Sequence, residues 1–96
     1  MGTTPKLEEV ALILKRHLPP GYSAVLFGSR ATGQARPASD WDIGLLGPQS
    51  LRGAVVESIR EALENLPTLH TFDVVDLTTV PDYFRERALR KAMKLV

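Results

Sequence analysis

Residues 40–45 read Asp-Trp-Asp-Ile-Gly-Leu, and this alternation constrains the chain more than any other segment. Side chains on a strand point to opposite faces with a period of two. Trp41, Ile43 and Leu45 therefore share one face, and Asp40, Asp42 and Gly44 share the other. The first face belongs in a core. The two acids then stand side by side, roughly 6–7 Å apart along the chain, on a face left open. The chain must supply a sheet covered on that first side.

The flanking segments provide one. Thr4-Pro5 reads as an N-cap with proline at the first helical position, and Leu7, Val10, Ala11, Leu14 and Leu18 follow at helical spacing. Pro19-Pro20-Gly21 stops that helix. Ser23 to Phe27 is a short apolar run that reads as a buried strand, and Gly28 to Ser39 as a loop or single helical turn. Ser50 is a fair N-cap for an amphipathic helix carrying Leu51, Ala54, Val55, Ile59, Ala62, Leu63 and Leu66, which Pro67 ends. His70 to Leu77 is rich in β-branched and aromatic residues, as a third strand should be. Pro81 opens a last helix with Phe84, Ala88, Leu89, Ala92, Met93 and Val96 on its apolar side. The order helix, strand, loop, strand, helix, strand, helix predicts an α+β (mixed α/β) domain: a small mixed sheet with helices packed on one face.

Size and charge narrow the function. Residues 1–96 fit a single domain, with one core and no room for a second lobe. Twelve Lys and Arg against eleven Asp and Glu argue against a general polyanion binder. Five cations (Arg85, Arg87, Arg90, Lys91, Lys94) nevertheless crowd the last helix, where they read first as a solvated face suited to the helix dipole and second as a dock for an acidic protein or RNA. The absence of Cys removes disulfides and thiolate metal sites. Apolar runs of five residues or fewer cannot cross a bilayer, and the N-terminal sequence has no export pattern, so the cytoplasm is the expected compartment. His17 and His70 read as helix-end or surface residues, and Trp41 as core.

The acids are the chemistry. Two adjacent carboxylates repel, and one takes up a proton unless a cation holds them. Oxygen ligands favour a hard ion, Mg²⁺ or Mn²⁺. Asp-x-Asp alone is a common surface pair, but Asp73 lies in a later strand with Phe72 and Val74 pointing the other way, so its carboxylate can join the cluster. Asp76, three residues on, falls on the face of Phe72 and Val74 and reads as a strand-end or turn residue; Asp73 is the better third ligand. After the first strand comes Gly28-Ser29-Arg30. Glycine lets a backbone approach a phosphate, the following amides and the Ser29 hydroxyl can donate to it, and Arg30 and Arg36 add charge. Gly-Ser alone would be a plain strand-to-helix turn.

Taken together, Gly28-Ser29-Arg30-Ala31-Thr32-Gly33, ten further residues after Ser29, and Ser39-Asp40-Trp41-Asp42-Ile43 resemble the minimal nucleotidyltransferases (MNT) of the DNA polymerase β-like superfamily. The resemblance spans Tyr22 to about Leu77. It implies a nucleoside triphosphate, adenylyl transfer from ATP in the manner of a protein adenylyltransferase, and pyrophosphate as leaving group. It implies two Mg²⁺ ions, with Mn²⁺ as the substitute, held by the catalytic acids Asp40, Asp42 and Asp73, and phosphates held by Gly28, Ser29, Arg30, Arg36 and Ser39. The family's usual partner is a helical HEPN-domain ribonuclease toxin, which the MNT protein restrains as antitoxin. A domain too small for its own acceptor lobe suits that arrangement. Two alternatives stay open: a non-catalytic module that masks its partner, and a nucleotidyltransferase acting on RNA or a small molecule. Nucleic acid is not the expected partner, and a membrane is not expected.

Overall fold

In a computed structural model of the chain, which describes residues 5–28, 31, 40–68 and 70–96, four strands form one sheet in the order β3-β2-β1-β4. The elements run α1 (Leu7–His17), β1 (Ser23–Phe27), β2 (Trp41–Leu46), α2 (Gly53–Glu64), β3 (Phe72–Asp76), α3 (Asp82–Leu89) and β4 (Met93–Lys94). β1 pairs antiparallel with β2 and with β4, whereas β2 and β3 are parallel. A parallel pair needs a crossover, and α2 supplies it.

Alternation sets the core. Ala24 and Leu26 of β1, Trp41, Ile43 and Leu45 of β2, and Phe72 and Val74 of β3 form one buried cluster with Val10 and Leu14 of α1 and Ile59 and Leu63 of α2. Trp41 is a core residue, its ring 5.6 Å from that of Phe72. α1 and α2 thus cover one face of the sheet. α3 touches β1 on the other side, through Phe27 and Phe84. That second face is apolar at one end. Gly44 lies beneath Leu77, and a Cβ on Gly44 would overlap Leu77 Cδ1 and stand 3.2 Å from Val25 Cγ2. Glycine there lets Leu77 close down on that end of the face.

Several boundaries differ from those the sequence suggests. Thr4 lies outside the described residues, and Lys6 rather than Thr4 is the N-cap of α1, with Pro5 ahead of the helix. The Lys6 amide donates to Glu9 Oε1 at 3.0 Å, the half of a capping box that ties the N-cap residue to the first turn. α2 starts after Arg52 rather than at Ser50, and ends at Glu64, ahead of Pro67. β3 begins at Phe72, two residues beyond His70.

The largest difference is at the C-terminus. The last helix stops at Leu89, and Met93–Lys94 is a strand on the edge of β1. Val25 pairs with Lys94 and Leu26 with Met93, while the Leu95 amide donates to Ala24 O at 2.8 Å. Ala92, Met93 and Val96 have helical spacing, but an open β1 edge offers ladder bonds that a solvated helix end cannot. The basic run is split accordingly: Lys94 is on the strand, Arg90 and Lys91 in the turn before it.

Candidate active site

The open end of the second face is built by register. Phe27 of β1 pairs with Asp42 of β2, and Asp42 pairs with Asp73 of β3. These three side chains form one row across the sheet, with neighbouring strands about 4.8 Å apart. The parallel β2–β3 pairing is what brings Asp73 beside Asp42. Asp73 is exposed and Asp42 half-buried.

Asp40 stands just ahead of β2. It is exposed and accepts a hydrogen bond from the Thr71 hydroxyl, the residue before β3. The Trp41 amide donates to Thr71 O at 2.9 Å, fixing the two strand entrances together. Thr71 was not legible from sequence as a neighbour of Asp40, because the contact depends on the parallel register.

Gly28 follows β1 with φ +77°, in the left-handed region that favours glycine. A Cβ at Gly28 would overlap Asp42 Oδ2 and lie 3.2 Å from Asp42 Cγ. Backbone and carboxylate therefore meet in a space that only glycine leaves free. Ser29, Arg30, Arg36 and Ser39 lie outside the described residues.

Among the described residues the acids stand beside one another with no counter-charge paired to them. Burial pushes the Asp42 carboxyl above its usual range, and the charges of Asp73 and Asp40 push it further the same way. No hydrogen bond or ion pair to the Asp42 or Asp73 side chain is present among the described residues. Among those residues, too, no group of three or more His, Cys, Asp or Glu side chains is gathered to hold a metal ion. Asp40 is occupied with Thr71. The donor set still fits a hard divalent ion: carboxylate oxygens only, mutually repelling, beside a cradle that a Cβ at Gly28 would fill.

Asp76 has a different task. Its Oδ2 accepts from the Leu51 amide and its Oδ1 from the Thr78 amide, both at 3.0 Å. Both carboxylate oxygens are used to tie the approach to α2 to the turn after β3. We therefore expect Asp76→Ala to cost about 1–3 kcal/mol of stability by stranding those amides, while transfer below the melting transition stays within a few-fold of the parent. Chemical denaturation and a rate assay on the same preparation check both halves. Of the other residues weighed, His17 Nδ1 lies 2.8 Å from Ile13 O at the end of α1. Arg85 is also structural, donating to Leu77 O and Val80 O at 3.0 Å each and pairing with Asp82.

Comparison with known proteins places the fold. The probable protein adenylyltransferase MntA of Haemophilus influenzae is 30% identical over 83 residues, 84% of this chain and 73% of that protein. A solved minimal nucleotidyltransferase is 30% identical and superposes with a TM-score of 0.71 over 91% of this chain and 86% of its own. The structure of the tri-AMPylated Shewanella oneidensis HEPN toxin in complex with MNT antitoxin contains a chain of the same fold, 19% identical, with a TM-score of 0.64 over 94% of this chain and 68% of that one. Residues 8–96 match the family described as Polymerase beta, Nucleotidyltransferase, and the chain belongs to that family of nucleotidyltransferase enzymes.

Proposed function

We propose that this chain transfers an adenylyl group from ATP to a hydroxyl of a HEPN-domain toxin and restrains that toxin as its antitoxin. The observation that carries the reading is the row that sets Asp42 beside Asp73 with Gly28 against the Asp42 carboxylate. The relatives named above, one a protein adenylyltransferase and one in complex with an AMPylated HEPN toxin, support the choice of nucleotide and acceptor.

In this reaction an acceptor oxygen attacks the α-phosphorus, the bond to the β-phosphate breaks, and pyrophosphate leaves. Phosphoryl-type transfer depends on positioning and charge stabilisation, so the chain needs no nucleophile of its own. Asp42, with Asp40 and Asp73, would hold Mg²⁺ (two ions, with Mn²⁺ as substitute), Asp40 giving up Thr71 to do so. When bound, the ions supply positive charge at the attacking and leaving oxygens. Asp73, exposed at the outer side of the row, orients the acceptor hydroxyl and takes its proton. Gly28 brings backbone close to the β- and γ-phosphates, and Ser29, Arg30, Arg36 and Ser39 are assigned to the same phosphates from the sequence pattern. No helix among the described residues is long and apolar enough to cross a membrane, and we place the activity in the cytoplasm.

The test is the intact mass of the neighbouring HEPN protein after incubation with this chain, ATP and MgCl₂. A gain of one or more AMP units is expected. The bond between Asp40 and Thr71 favours one second reading, a module that only masks its partner. A stable complex with no mass gain would select it, and neither complex nor mass gain would turn attention to RNA or small-molecule acceptors. The ion has its own signature. Mg²⁺ at a hundred times its Kd stabilises a folded site by about 2.7 kcal/mol, on the order of 10 °C in melting temperature for a domain this size. We expect that shift in the parent chain and its loss in Asp42→Asn.

A further inference from the structure

The row carrying Asp42 and Asp73 extends past β1. Phe27, the register partner of Asp42, meets Phe84 of α3 edge to face, with ring centroids 6.5 Å apart and planes at 82°. Phe84, Arg87 and Ala88 stand at i, i+3 and i+4 and so share one face of α3. With Phe27 and Gly28 they line an open cleft of about 290 Å³ beside the acids.

Its lining is unlike ordinary surface. α3 buries none of its residues, yet it carries an aromatic ring that remains 39% exposed at Phe84. Arg87 is exposed and makes no ion pair among the described residues, whereas Arg85, two positions earlier, is fully engaged. Ala88 is small where a larger side chain would fill the space.

We infer that this cleft receives the base and ribose of the nucleoside triphosphate, the base lying against the Phe27–Phe84 pair with the Arg87 guanidinium beside it. The inference rests on the transferase reading, which sets the phosphates at Gly28 and the α-phosphorus near Asp42. A single ribose joins a base to its α-phosphate, so the seat of the base has to border the acids, and this cleft borders them through Gly28 and the Phe27–Asp42 pairing. Aromatic faces and arginine planes are the groups on which bases stack, largely without regard to base identity. An aromatic side chain of the acceptor would suit the same lining. However, Asp73, the acid assigned to the acceptor hydroxyl, lies on β3, on the far side of Asp42 from the cleft. The acceptor therefore approaches from the β3 side of Asp42; the leaving pyrophosphate lies opposite it, at the Gly28 backbone, and the base shares that side against Phe27 and Phe84.

The experiment is calorimetric titration with AMP-PNP and, separately, with tripolyphosphate, which has the phosphates but no base, both in the presence of Mg²⁺. Binding needs no acceptor, so it reads the cleft independently of turnover. Phe84→Ala should weaken AMP-PNP binding roughly 10- to 100-fold, the scale of one base-stacking contact, and Phe84→Tyr should restore it. Arg87→Ala, which alters a solvated side chain and leaves the fold alone, should weaken it about 3- to 10-fold. Tripolyphosphate binding should be unchanged in all three. Equal weakening of both ligands would mean that the cleft holds the phosphate tail and would overturn the inference. Unchanged AMP-PNP binding with a raised KM for the acceptor would give the cleft to the acceptor and overturn it as well. If the parent chain bound neither ligand, the transferase reading itself would fail.

Discussion

Asp42→Asn is expected to reduce adenylyl transfer on the order of 10³-fold or more, the scale for removing a group that stabilises charge in the transition state. Asp42 is the centre of the acid row, flanked by Asp73 in register and Asp40 two residues before it. The amide keeps the shape of the carboxyl but cannot supply the negative charge that holds a divalent ion. Stability should move the other way. Burial and two neighbouring acids raise the Asp42 pKa in the folded chain, so its ionised form costs stability at neutral pH in the absence of metal. Asp42→Asn should therefore melt at or above the parent temperature without Mg²⁺. The sign of its pH dependence follows. The folded-state pKa lies above the unfolded one, so the parent recovers the lost stability as pH falls through the folded value, and the gap between the two proteins closes. Melting curves across that range, with rates measured on the same samples, separate loss of chemistry from loss of fold.

Gly28→Ala should be the second most damaging change, and for two separable reasons. At φ +77° an L side chain costs roughly 1–2 kcal/mol. The new Cβ would also collide with the Asp42 carboxylate, displacing the group to which the proposed function assigns the metal ion. Small displacements of a reacting group cost about 10²-fold in rate, and we expect at least that here. A double-mutant cycle separates the two reasons. Asp42→Ala removes the colliding oxygen, so Gly28→Ala should destabilise an Asp42→Ala background by the backbone cost alone, less than it destabilises the parent. Equal losses in both backgrounds would show that the contact with Asp42 contributes nothing.

The parts of the fold that were legible in sequence are those where one physical demand dominated. Trp41, Ile43 and Leu45 had to be buried, which left Asp42 facing out, and the same alternation separated Asp73 from Asp76. The carboxylate of Asp76 is taken up by backbone amides, in keeping with a turn residue. Pairing was harder to read. Neither the parallel register of β2 and β3 nor the resulting contact between Thr71 and Asp40 has a local signature. β4 was read as helix because Ala88, Leu89, Ala92, Met93 and Val96 recur at helical spacing; the vacant edge of β1 decided otherwise. The start of α1 moved because Glu9 caps the Lys6 amide from within the helix. The role of Phe84 beside Gly28 was hidden in the same way, since it depends on α3 returning across β1 rather than on any motif around it.

The central claim is that this acid row supports nucleotidyl transfer, and the position of the transferred phosphorus tests it most directly. The chain, a HEPN-domain protein as acceptor and MgCl₂ would be incubated with ATP labelled at the α-phosphorus and, in parallel, with ATP labelled at the γ-phosphorus. Attack at the α-phosphorus leaves the first label on the HEPN protein and releases the second with pyrophosphate, and Asp42→Asn should retain neither. Label on the HEPN protein from the γ-position, or α-label transferred equally well by Asp42→Asn, would contradict the account.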